Sequence, residues 1–259
     1  MTPPTSLEHQ RYVRSNNYDA AWITENQMGP HPLWLLESLT EVLTITPGAK
    51  VLDLGCGKAL TSIFLAKEFG ARVWATDLWI AAADNQERVV EAGVEDLVTP
   101  IHAEAHTLPF AADFFDVIVS IDAYQYFGTA DLYLAYLLGF LKADGRLGIV
   151  SPSLTREFDG TPPETLAPWW ESEFCCFHTP EWWATHWAKT GKVTVEHADH
   201  VPDAWKDWLH FNDFIAPHVE GWWIDDVART HDMLEADRGS NLGFCRVAAT
   251  KSAEAPKTG

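Results

Sequence analysis

From Lys50 onward the chain alternates short apolar runs with helix-patterned stretches that close on glycine, and this alternation narrows the available folds more than any other feature. The apolar runs are KVLDL (50–54), RVWATD (72–77), VTPIHA (98–103), FDVIVSI (115–121), RLGIVS (146–151), KVTVEHA (192–198) and LGFCRVAAT (242–250). Strands separated by helices must be joined by crossovers, which gives a mostly parallel sheet with helices on its faces. The intervening ALTSIFLAKEFG (59–70), IAAADNQERVVEAG (80–93) and ADLYLAYLLGFLKADG (130–145) carry helical spacing. Gly70, Gly93 and Gly145 are read as their stops, because glycine enters the left-handed conformation that ends a helix. The expected fold is α/β, with a seven-stranded, mostly parallel sheet.

Three regions are additions to this alternation. Residues 1–46 are helical and aromatic and are read as an N-terminal helical lid, within which HPLWLLESLTEVL (31–43) has the pattern of an amphipathic helix covering the sheet. Residues 47–259 are read as one domain with aromatic-rich insertions at 152–190 and 201–238, after the fifth and sixth strands. Ligands of open α/β sheets bind beyond the carboxyl ends of the strands, so additions at that edge would cover a site. The first dozen residues and the tail KSAEAPKTG are read as solvated ends.

A net charge of −19 sets the class of partner. Such a surface repels the phosphates of nucleic acid and of anionic membranes. No stretch approaches the roughly 20 apolar residues of a membrane span, and MTPPTSLEHQRYVR lacks the apolar core of a secretion signal, so a cytoplasmic protein is expected. The cysteines at 56, 175, 176 and 245 form no C-x-x-C pair, and CCFH (175–178) has no second ligand cluster at chelating distance; no metal is expected.

The glycines after the first strand decide between cofactors. In the dinucleotide fingerprint they occupy the first, third and sixth positions, but from Gly55 the series runs Gly55, Gly57, Leu60. The third glycine is missing. Counted from Asp53, the series is instead acid-x-Gly-x-Gly-x-small, through Gly55 and Gly57 to Ala59.

On these residues the sequence VLDLGCGKA resembles the first motif of the class I S-adenosylmethionine-dependent methyltransferases, and the resemblance extends over roughly residues 48–151. It implies a Rossmann-like fold and S-adenosylmethionine as cofactor. Gly55, Cys56 and Gly57 would pass beneath the cofactor's amino-acid and ribose parts, and Asp53 would orient its amino group. Asp77, 24 residues beyond Asp53, would accept from the ribose hydroxyls, with Leu78 and Trp79 flanking the adenine. The alternative for Asp77 is a helix N-cap. HAEAHTLPF and DFFDVIVSIDAYQYF resemble the third and fourth motifs: Glu104 and Ala105 would address the adenine edge, and Ser120 to Asp122 the methionine part. Ala59 departs from the family, which has glycine there.

Methyl transfer is an in-line displacement that needs an aligned nucleophile, exclusion of water and, for some acceptors, a base. Asp122, Tyr124, Tyr126 and His178 are the catalytic candidates, with His106 a further option; Gln125, Tyr18 and Trp22 are candidates for holding substrate. The tryptophans of the additions either pack or wall a pocket for a flat or cationic acceptor. A small-molecule methyltransferase is the expected function. A protein or tRNA methyltransferase, a non-methylating user of the same cofactor and a cofactor sensor share the motifs.

Overall fold

The structure, a computed structural model, describes residues 4–252. Its elements in chain order are α1 (Ala20–Asn26), α2 (Pro32–Thr40), β1 (Lys50–Leu54), α3 (Leu60–Phe69), β2 (Arg72–Asp77), α4 (Ala82–Glu91), β3 (Val98–His102), β4 (Phe115–Ile121), α5 (Gln125–Gly128), α6 (Tyr133–Leu137), β5 (Leu141–Leu154), α7 (Pro180–Ala188), β6 (Val193–His200), α8 (Ala204–Ile215), α9 (Trp223–Asp237) and β7 (Leu242–Lys251). The seven strands form one sheet in the order β3-β2-β1-β4-β5-β7-β6, with only β7 antiparallel to its neighbours. Order reverses between β1 and β4, so the switch point lies at their carboxyl ends. Among the described residues no helix is long and apolar enough to cross a membrane.

Alternation along the strands distributes the core between two faces. On β1, Val51 packs with α2 and α3, whereas Leu52 and Leu54 pack with α6 and α7. Gly70 and Gly93 stop α3 and α4 at φ 62° and 68°, as the spacing predicts. The stretch 130–145 differs. Only Tyr133–Leu137 is α-helical, a tighter turn follows at Leu138–Phe140, and Leu141 already pairs with Phe115. Pairing in the sheet overrides local helical pattern here, and the left-handed residue is Asp144 at φ 59° rather than Gly145.

Two other expectations are corrected. Of the first dozen residues, 1–3 lie outside the described residues and 4–12 are not a solvated end: Leu7 and Tyr12 are buried, and Tyr12 stacks on His9. That segment covers the outer side of α2, whose run Leu33–Leu39 is buried throughout rather than along one stripe. The tail from residue 253 lies outside the described residues. Within 152–190, β5 continues to Leu154 and α7 is the crossover helix to β6, its Trp183 and Trp187 fully buried against the sheet, so the addition proper is the segment between. Trp182, next to Trp183, faces outward and stacks between His178 and His186.

Candidate functional site

The chain leaves β1 through Gly55, Cys56 and Gly57, and three sets of hydrogen bonds fix this loop. The amides of Gly55 and Cys56 donate to the Thr76 carbonyl on β2 at 2.8 and 3.1 Å. The Gly57 amide donates to Asp77 Oδ2 at 2.8 Å, and Asn85 Nδ2 donates to the Gly57 carbonyl at 2.9 Å. Gly55 has φ 75°, and a Cβ there would overlap the Ala123 methyl, so only glycine lets the loop approach the end of β4. Asp77 Oδ1 accepts from the Trp79 and Ile80 amides at 2.7 and 3.0 Å. Asp77 therefore organises both the glycine loop and its own turn, and is not the N-cap of α4, which is Ala81.

Asp53 lies under this loop, fully buried. Its Oδ2 accepts from the hydroxyls of Thr61 and Ser62, both at 2.6 Å, while Oδ1 has no partner among the described residues. Burial pushes its pKa up to about 6; the two hydroxyls oppose that shift and the charge of Asp77 adds to it.

A cavity of about 270 Å³ opens over the carboxyl ends of β1, β2 and β4. Of the residues expected at a cofactor, Gly55, Cys56, Gly57, Asp77, Leu78, Glu104 and Ala105 line it. Asp53 does not, and neither does Ser120, whose buried hydroxyl donates to the Leu54 carbonyl at 2.7 Å. Glu104 engages its own loop: its oxygens accept from the His106 amide at 2.9 Å and pair with His106 Nδ1 at 2.6 Å. That histidine hydrogen bond holds the Glu104 carboxyl below its usual range.

The residues after β4 separate into two groups. Asp122 and Tyr126 line this cavity and also a second one of about 310 Å³, so they mark the junction of the two. Asp122 stands at φ 53°, and burial pushes its pKa up to about 7. Gln125 does not face the first cavity; it is buried, donates to Asp122 Oδ1 at 3.2 Å and accepts from Ser151 Oγ at 3.2 Å. It positions the carboxylate. Tyr124, expected as a catalytic candidate, is fully buried between Trp183 and Trp187 with its ring against Gly128, away from both cavities. His178 is also away from them, stacked on Trp182 at 3.7 Å and paired with Glu157 at 3.1 Å.

Tyr18 and Trp22 fall outside the cavity walls as well. Asp19 caps α1 by accepting from the Trp22 amide at 2.9 Å, which leaves Tyr18 extended ahead of the helix. Its hydroxyl donates to Glu68 Oε1 at 3.2 Å and its ring packs on Phe64, both on α3. The part of this N-terminal region that reaches the site is its far end: Met28, Gly29 and Pro30 line both cavities. Glycine followed by proline breaks a helix, and Gly29-Pro30 makes that turn. Nothing in the spacing pointed to Met28, or to the carboxylates of Glu171, Glu173 and Asp226 on the second cavity.

Residues 51–145 match the family model described as a methyltransferase domain. The chain carries a class I S-adenosylmethionine-dependent methyltransferase domain. Among curated proteins it is similar to methyltransferase GfsG of Streptomyces halstedii, 34% identical over 120 residues, which are 44% of this chain and 42% of that protein. It is also similar to the ubiquinone/menaquinone biosynthesis C-methyltransferase UbiE of Paraburkholderia xenovorans, 30% identical over 123 residues, 46% of this chain and 49% of that protein. The chain thus spans less than half the length of these relatives. In fold, the domain and its additions resemble phosphoethanolamine N-methyltransferase 2 of Haemonchus contortus in complex with S-adenosyl-L-methionine, with a TM-score of 0.73 at 20% identity over 95% of this chain and 59% of that one.

Proposed function

We infer that this chain transfers the methyl group of S-adenosylmethionine to a small-molecule acceptor. The observation that carries the reading is the junction at Asp122: a cavity floored by the glycine loop meets a second, aromatic cavity at one carboxylate. The residues fit the cofactor, since Gly55 and Gly57 line the cavity with bare backbone and the Asp77 carboxylate lines it beside them. Bound there, S-adenosylmethionine would supply an electrophilic methyl group for in-line attack by a nucleophile, with S-adenosylhomocysteine as the leaving group.

The chain's own contribution is alignment, dryness and a proton acceptor. Asp122, on the wall of both cavities, takes the proton of an acceptor X–H group; a base whose pKa is near the working pH is both ionised and basic enough to do so. Gln125 and Ser151 hold that carboxylate in place. Tyr126, 56% exposed at the same junction, offers its hydroxyl to the acceptor. Asn26 to Pro30 form the edge that keeps water out. The name of the UbiE relative, from quinone biosynthesis, supports a small-molecule acceptor, and the acidic surface argues against nucleic acid. The four free cysteines suit the reducing cytoplasm.

Calorimetry tests the cofactor assignment. S-adenosylhomocysteine should bind and NAD should not compete. Asp77→Ala should weaken binding by about 1.5–3 kcal/mol, the range for hydrogen bonds to a charged group. Unchanged affinity in that variant removes Asp77 from the site.

A further inference from the structure

The second cavity is walled by Trp169, Phe174, Phe177, Trp208, Trp222 and Trp223, with Tyr126 at the junction. Trp222 and Trp223 stack on each other at 4.1 Å, and Phe174 stacks on Phe177 at 4.8 Å. Four carboxylates share this wall, those of Asp122, Glu171, Glu173 and Asp226, against one guanidinium, Arg229. Arg229 is already committed: it pairs with Glu171 and donates to the Trp169 carbonyl. Among the described residues, Asp122, Glu173 and Asp226 have no Lys, Arg or His partner.

Acidic residues are common over a chain with 37 of them, so the carboxylates alone mark nothing. Their setting does. Indole and phenyl faces carry negative potential and attract an organic cation, most strongly where water is excluded. A neutral apolar acceptor would be served by the rings and would leave the carboxylates to be desolvated without return. An anionic acceptor such as a diphosphate would meet three unpaired carboxylates, with the one guanidinium already paired to Glu171.

Resting on the methyltransferase reading, we propose that this cavity holds the cationic head of the acceptor, an organic ammonium gripped by the tryptophan wall and the unpaired carboxylates, and presents it to the junction, where Asp122 takes its N–H proton and the freed amine lone pair bonds to the methyl as S-adenosylhomocysteine leaves. Arg229 and Glu171 brace the wall between α9 and the segment before α7, and Glu173 and Asp226 supply the charge.

The test uses the full chain saturated with S-adenosylhomocysteine and a pair of probes that differ in charge alone, choline and its carbon isostere 3,3-dimethylbutan-1-ol. Calorimetry should give choline at least ten-fold the affinity of the alcohol. Trp223→Leu and the exposed Glu173→Gln should each reduce the choline affinity several-fold while leaving S-adenosylhomocysteine binding within two-fold. The homocysteine titration reports on folding and on the cofactor site, so its failure overturns the methyltransferase reading and not this one. With that titration intact, equal or tighter binding of the alcohol, or no binding of either probe, overturns the cationic acceptor.

Discussion

Asp122 combines strained backbone with an unfavourably buried charge, and both have measurable consequences. Its φ of 53° lies in the left-handed region, where Asp is among the more tolerated residues, and its pKa of about 7 reflects desolvation opposed only by Gln125. Because the folded pKa lies above that of the unfolded chain, the folded state holds this proton more tightly. The resulting stability is complete at low pH and is lost as pH rises from about 4 to about 7. Asp53, at about 6, acts in the same direction up to that pH. Asp122→Asn should therefore raise stability at pH 8 by about 1–3 kcal/mol and flatten its pH dependence, while turnover falls by about 10²–10⁴, as expected for loss of a general base. Denaturant unfolding at several pH values checks the first part; a variant less stable than wild type at pH 8 contradicts it. Ala59, where the resembling family has glycine, sits buried at φ 63° before α3. Glycine there would relieve about 1–2 kcal/mol of left-handed strain, but would forfeit about 0.8 for the buried methyl and about 0.4–1 in chain entropy. These offset, so Ala59→Gly should leave the unfolding free energy within about 0.5 kcal/mol of wild type, and a loss well beyond that would show that the methyl is packed for a purpose. The placement of Gly55, Gly57 and Asp77 at the cavity was legible because it depends on backbone geometry written into local spacing. Those of Tyr124 and His178 were misread because a side chain's direction after a strand end depends on what packs over it, here Trp183, Trp187 and Trp182.

At the scale of elements, α1 and the turn after it are tied to the cofactor loop by a relay of side chains. Arg88 on α4 donates to Asn26 Oδ1 at 2.8 Å and to Asn85 Oδ1 at 3.1 Å, and Asn85 holds the Gly57 carbonyl. Lys58 Nζ donates to the Glu25 carbonyl at 2.9 Å. We propose that this end of the N-terminal region is the lid, with Gly29, at φ 156°, and Pro30 at its hinge and with Tyr12, Tyr18 and Trp22 as its fixed anchor. Proteolytic cleavage near residues 25–30 should be slowed by S-adenosylhomocysteine, and Arg88→Ala should cancel that protection and raise the KM for the cofactor several-fold without unfolding the chain. Equal cleavage with and without ligand returns the segment to simple packing. Its direction of packing could not be read in advance, since Asp19 caps α1 and leaves Tyr18 outside the helix that carries Trp22.

Over the whole molecule, the strand order places two cavities side by side at one switch point, one built on the first half of the sheet and the other roofed by the segments after β5 and β6. The sheet was legible almost strand for strand because burial on both faces forces apolar runs with glycine stops. The roof was not, because its charged and aromatic residues come together only through contacts between α9 and the segment before α7. A molecule of net charge −19 surrounding an aromatic cavity draws small cations and turns away polyanions, which suits a soluble acceptor diffusing to the junction. Group transfer is the property that distinguishes an enzyme from a binder of the same cofactor. Incubating the chain with methyl-labelled S-adenosylmethionine and a pool of small amines, phenols, thiols and carboxylates, then following the label by mass spectrometry, should yield S-adenosylhomocysteine in step with one labelled amine, with the signal nearly abolished by Asp122→Asn. Cofactor that binds but stays intact with every acceptor, or label transfer that Asp122→Asn leaves untouched, would contradict it.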